Sequence, residues 1–227
     1  MASKNGFVVR GQNGAVQIDG ENFCMCLQKV NNLSLKAGTK AVTGDVYTSA
    51  TTSFVKSANS SLVALRCSSW CRAYVGDQTK NLNEVTIARN YDNSGTPSCI
   101  AYEYGNAAYN WSSSKSGIEV FNSSKTKVFS SNWSVMRVFG VYYLDHIKSW
   151  SLQLPVGRTF AMVLDGGQMD SNIVGYNSYT AVYMGRIVNN KAEVAFIQDS
   201  IFHSPVNVGT YNYPCQLMVM ILEIVGV

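Results

Sequence analysis

Apolar residues recur at every second position along most of this chain, and the three-to-four spacing of an amphipathic helix is nearly absent. Period two is the signature of strands, because successive side chains point to opposite faces of a sheet. Phe7-Val8-Val9-Arg10, then Gly11-Gln12-Asn13-Gly14, then Ala15-Val16-Gln17-Ile18-Asp19 reads as strand, turn and strand. The Asn-Gly pair supplies the left-handed backbone that tight hairpin turns demand. Further strands are expected at 23–29, 61–67, 72–75, 84–89, 98–104, 117–122 and 127–130. The pattern continues at 134–144, 149–154, 159–164, 179–188, 191–198 and 215–225, with Asn189-Asn190 as another hairpin signal. Many short strands divided by Gly, Asn and Ser clusters predict an all-β chain built as sandwiches or barrels.

A hairpin outline occurs twice. Gly6-Phe7-Val8-Val9 through Ile18-Asp19 is matched about 111 residues later by Gly117-Ile118-Glu119-Val120-Phe121-Asn122-Ser123-Ser124 and Lys125-Thr126-Lys127-Val128-Phe129-Ser130. Leu33-Ser34-Leu35-Lys36-Ala37-Gly38 has a partner in Leu152-Gln153-Leu154-Pro155-Val156-Gly157, and each half closes on an apolar strand. A repeated unit implies tandem copies of one fold. The expectation is two tandem β-sandwich domains, 1–110 and 111–227, with Gly105–Ser116 as linker; one large β-sandwich is the alternative.

Composition narrows the function. Hydrophobic residues make up 46% of the 227, enough for a core, but charged residues only 14%, against roughly 25% in ordinary soluble domains. Ser, Asn, Thr, Gly and Tyr take their place, and neutral groups cost less to desolvate than ions. Such a surface suits a protein packed against neighbours. The net charge of +4 is scattered without a basic run, so no nucleic-acid partner is expected. The opening MASKNGFVVRGQNG has no apolar core, and no segment approaches the ~20 apolar residues of a bilayer span. The expectation is folding in a cytosol, with no membrane partner.

Gly117-Ile118-Glu119-Val120-Phe121-Asn122-Ser123-Ser124, followed by Val128-Phe129-Ser130-Ser131 and then Val135-Met136-Arg137-Val138, resembles a pattern in small β-rich, tail-associated virion proteins of tailed bacteriophages. Gly6–Asp19 is similar to a second, more diverged copy, and the strand from Leu217 to Val227 resembles the way such chains end. The resemblance covers about 50 of the 227 residues, and Lys125 stands where the family's turn has Gly. It implies a virion component, assembled in the host cytoplasm, without enzymatic activity or catalytic residues.

Motifs for catalysis are missing from the sequence as well. His146 and His203 lack a metal-binding context, and neither a nucleophile elbow nor a phosphate-binding loop is present. Asp165-Gly166-Gly167 with Asp170 reads as a turn, since it lacks the oxygen ligands of a calcium loop. No cofactor is expected. Of the six cysteines, Cys24, Cys26, Cys67 and Cys71 could supply four zinc thiolates, but neither pair has the usual spacing, and reduced cysteines are the simpler reading. Five N-x-[ST] sequons, at Asn32, Asn59, Asn110, Asn122 and Asn132, follow from Asn/Ser richness.

Aromatic residues are the best contact candidates. Tyr109, Trp111, Tyr176, Tyr179, Tyr211 and Tyr213 fall in Asn-, Ser- and Gly-rich stretches, where rigid rings beside amides make adaptable surfaces. Tyr102 and Tyr104 read instead as core or cross-strand residues. The combined reading is a non-enzymatic structural subunit of a phage virion, in the tail or tail tip, that self-assembles and binds other virion proteins. The alternatives are a receptor- or carbohydrate-binding module stacking host-surface glycan on the loop tyrosines, and a capsid decoration protein.

Overall fold

The structure is a computed structural model. It describes residues 9–10, 16–18, 25–36, 39–40, 47–48, 50–58, 60–77, 81–89, 96–106, 117–125, 127–131, 133–145, 147, 149–166, 170–174, 177–203 and 216–225. The described residues are all-β, without a helix; accordingly none holds a helix long and apolar enough to cross a membrane.

The first half contains β1 (Val9–Arg10), β2 (Val16–Ile18), β3 (Met25–Ser34), β4 (Thr39–Lys40), β5 (Tyr47–Thr48), β6 (Ala50–Val55), β7 (Ser60–Cys67), β8 (Cys71–Asp77), β9 (Asn81–Arg89) and β10 (Ser98–Asn106). The second contains β11 (Glu119–Phe121), β12 (Lys127–Ser130), β13 (Arg137–Asp145), β14 (Ser149–Gln153), β15 (Thr159–Gly166), β16 (Asp170–Val174), β17 (Asn177–Val188), β18 (Lys191–His203) and β19 (Gln216–Ile224).

Two large sheets result. One runs β13-β19-β15-β7-β10-β3; the other runs β4-β5-β18-β17-β8-β9-β6, with β14 added on β18 and β16 on β17. The halves use the same strand order. β3-β10-β7 is matched by β13-β19-β15, and β6-β9-β8 by β14-β18-β17. The halves are therefore joined within both sheets, edge to edge. Their seams are narrow: Leu65 opposite Met162, and Cys71 opposite Gly185. Hairpins β1-β2 and β11-β12 stand apart as two-stranded sheets with a register shift in each. The Leu33–Gly38 and Leu152–Gly157 segments do not occupy matching places. The first begins in β3 of one sheet and the second in β14 of the other, because a Leu-x-Leu strand end is too short a signature to specify a position.

A third seam closes the first sheet on itself. The Leu27 amide donates to Ser134 O (2.9 Å), the Met136 amide donates to Met25 O (2.8 Å), and Cys26 pairs Val135. Because residues 134–136 run straight into β13, the six strands form a barrel closed at one end. Closure gives the inward face something to bury against. Leu27, Ala64, Tyr102, Tyr104, Ala161, Val163, Leu222 and Ile224 fill it, small residues fitting beside large. Tyr102 and Tyr104 thus lie in the core, 3% and 2% exposed. The barrel's outward face packs on the second sheet through two further cores. In the first half Val63, Leu65 and Ala101 meet Val85 and Ile87. In the second, Met162, Val219 and Ile221 meet Tyr183 and Val194.

Among the described residues two charged side chains are wholly enclosed, Arg89 on β9 and Glu103 on β10, each 0% exposed. Glu103 accepts bonds of 2.6 Å from Asn31 Nδ2 and from the Ser57 amide. Ser57 lies where the chain crosses from β6 in one sheet to β7 in the other, so Glu103 fixes that crossing to the barrel.

Turn chemistry matches the sequence in two places. Asn189 and Asn190 carry φ of 50° and 55° between β17 and β18, the left-handed pair of a tight hairpin. Lys125 has φ 60° in the β11-β12 turn, where its amide donates to Asn122 O (2.9 Å). A side chain in that region costs about 1–2 kcal/mol, so Lys125→Gly is expected to stabilise the chain by roughly 1 kcal/mol. Denaturant unfolding checks this; a destabilised Gly variant would mean that Lys125 is held by contacts outweighing its backbone strain.

Candidate functional site

The expected aromatic contacts are mostly beyond the described part of the chain. Tyr109, Trp111, Tyr176, Tyr211 and Tyr213 lie outside the described residues, as does Cys24. The Tyr179 backbone is in β17, between Asn172 of β16 and Ile201 of β18.

Two other features emerge. The first is the outer strand of the barrel, β13. It pairs β19 from Arg137 to Asp145 and has no strand on its other edge among the described residues. Tyr142 and Leu144 turn inward onto the second-half core. Val138, Phe139, Val141 and Tyr143 do not: they are 47%, 40%, 40% and 81% exposed. The register shift between Val138 and Gly140 causes part of this, since it adds Phe139 to the strand and sets its ring edge-on to Phe160, with centroids 5.2 Å apart. Periodicity alone assigns such residues to a core. Val138 and Val141 share the face of Leu222 and Met220, which line the barrel interior, and only the position of the strand at the barrel's open side leaves them exposed.

The second feature is a thiol cluster. β7 ends at Cys67, a short turn follows, and β8 begins at Cys71 in the facing sheet. On β10, Cys99 lies directly opposite Cys67. The three Sγ atoms are within 4.8 Å of one another, and all three residues are buried. Arg89 is the register partner of Cys71 on β9. Hydrogen bonds from Cys71 and Cys99 hold the Cys67 thiol far below its usual range, with a smaller contribution from the Arg89 charge. Cys71 and Cys99 are correspondingly raised, chiefly by the same contact with Cys67.

Of the weaker four-thiol candidate, Cys67 and Cys71 are in this cluster and Cys26 is not. Cys26 is buried beside Trp133, in a separate cluster. On β10 it is opposite Gly105, whereas Cys99 is opposite Leu33; that offset, at roughly 3.3 Å per residue, is about 20 Å. Cys99 was not identifiable by spacing, since its link to Cys67 is a strand pairing and not a sequence interval.

A cavity of about 510 Å³ opens beside the thiols, lined by Cys67, Cys71, Arg72, Met162 and Gly185 among others. Gly185 matters here: a Cβ on it would come within 2.7 Å of the Met162 sulfur. No protein-family model matches this chain, and no curated protein or solved structure is significantly similar to it.

Proposed function

We propose that this chain is a non-enzymatic structural subunit of a tailed-phage particle, working in the tail or tail tip by assembling with copies of itself and with other virion proteins. The phage assignment rests on the resemblance of hairpin 117–130 and the strand after it. The observation that carries the assembly reading is β13, an outer strand with exposed apolar side chains. Soluble proteins normally guard such edges, because unpaired backbone groups beside apolar side chains template pairing with another chain.

The sequence of β13 favours a second copy as occupant. In an antiparallel pair centred on Val141, Phe139 of each copy meets Tyr143 of the other. The exposed Arg137 end then lies against the exposed Asp145 end. Apolar centre and opposite charges at the ends suit one register. The shared strand order of the two halves supports 1–110 and 111–227 as duplicated units, and we include that duplication in the reading.

The test measures solution mass alongside glycan binding, using wild type and a variant with Tyr179 and Tyr211 changed to Ala. A dimer or larger oligomer, without glycan binding in either protein, is expected. A monomer whose glycan binding is lost in the variant would favour a receptor-binding module instead.

A further inference from the structure

We infer that Cys67, Cys71 and Cys99 form a binding site for a divalent thiophilic d10 cation, Zn²⁺ in chemical class, which clips the two sheets together. A zinc–thiolate bond is about 2.3 Å, so three sulfurs around one ion form a triangle with edges of about 4 Å. The sulfurs already lie within 4.8 Å of one another. Closing the triangle requires shifts of less than an ångström.

Placement supports the assignment. Cys67 and Cys99 belong to the barrel and Cys71 to the facing sheet. A cross-link here joins them where β8 also meets β17 at the seam between the halves. Charge supports it too. Three thiolates around a divalent ion leave one negative charge, and the buried Arg89 provides one positive charge beside them. A soft sulfur donor set selects zinc-like ions over magnesium or calcium. Cys67, Cys71 and Met162 all line the cavity, so water or the Met162 thioether would supply the fourth ligand. The second half holds a single cysteine, Cys215, and so has no counterpart. One ion per chain follows.

The full chain, reduced and stripped with a chelator, is titrated with Cd²⁺ while thiolate-to-metal charge-transfer absorption is recorded. Zn²⁺ is then measured by competition with a chromophoric chelator. One ion per chain is expected. Cys99→Ser should weaken binding at least ~100-fold, since losing a ligand costs no less than disturbing its support; Cys26→Ser should leave it unchanged. Should Cys99→Ser fail to fold, X-ray absorption of the zinc-loaded wild type decides, with three sulfur neighbours at about 2.3 Å expected. A nitrogen- and oxygen-dominated shell, no stoichiometric absorption, or a disulfide between Cys67 and Cys99 would each overturn the site.

Discussion

Glu103→Ala is expected to lower stability by about 3–5 kcal/mol, a large effect for one side chain. The carboxylate is completely enclosed and accepts two short bonds, from Asn31 Nδ2 and from the Ser57 amide. Its removal leaves both donors short of a partner, at roughly 1–3 kcal/mol each, and opens a cavity between the sheets. Glu103→Gln keeps the volume but turns one amide N–H₂ toward a donor, so it should recover only part of the loss. Denaturant titration would show a lower midpoint with an unchanged slope, as for a pure stability change. A loss below about 1 kcal/mol would mean that Ser57 and Asn31 find other acceptors.

Val141→Lys should leave the fold intact and weaken self-association at least ~100-fold. The side chain is already 40% exposed, so the monomer loses little. In the paired state residue 141 of one copy faces 141 of the other, and two ammonium groups would repel while losing water. Roughly 3 kcal/mol of lost association free energy corresponds to more than a hundredfold in affinity. Sedimentation velocity over a concentration series reads this directly, with circular dichroism as the folding control. An unchanged oligomer would remove β13 from the interface. Unlike an assembly held by exposed ion pairs, the wild-type contact should depend weakly on salt, since its centre is uncharged.

Alternation and turn chemistry made most strands legible, because both are local. Hairpin β17-β18 follows from Asn189-Asn190, and β19 from its run of Leu, Met, Val and Ile. β6, with the sequence ATTSFV, was missed because its Ser and Thr read as a loop although Thr is β-branched. The short β16 was missed for the same polarity, its DSNIV beginning with turn-favouring residues. Barrel closure at Cys26 and Val135 was not legible at all. It depends on bringing together two segments more than a hundred residues apart. The thiol site failed in the same way: Cys67-x3-Cys71 was visible, but Cys99 joins it only through the β7-β10 pairing. Local pattern thus identifies elements, whereas sites made across sheets depend on strand order.

Oxidative trapping of Val141→Cys tests the assembly account most directly. Directly opposed strand residues have Cβ atoms about 4.5–5.5 Å apart, near enough to bridge with slight adjustment. Val156→Cys is the control, more accessible than Val141 at 80% against 40% exposure but outside β13. Under mild oxidation, the account predicts a covalent dimer for Val141→Cys, well above the wild-type background, and none for Val156→Cys. Equal trapping at both positions, or none at Val141→Cys while the wild type is still an oligomer, would contradict pairing through β13.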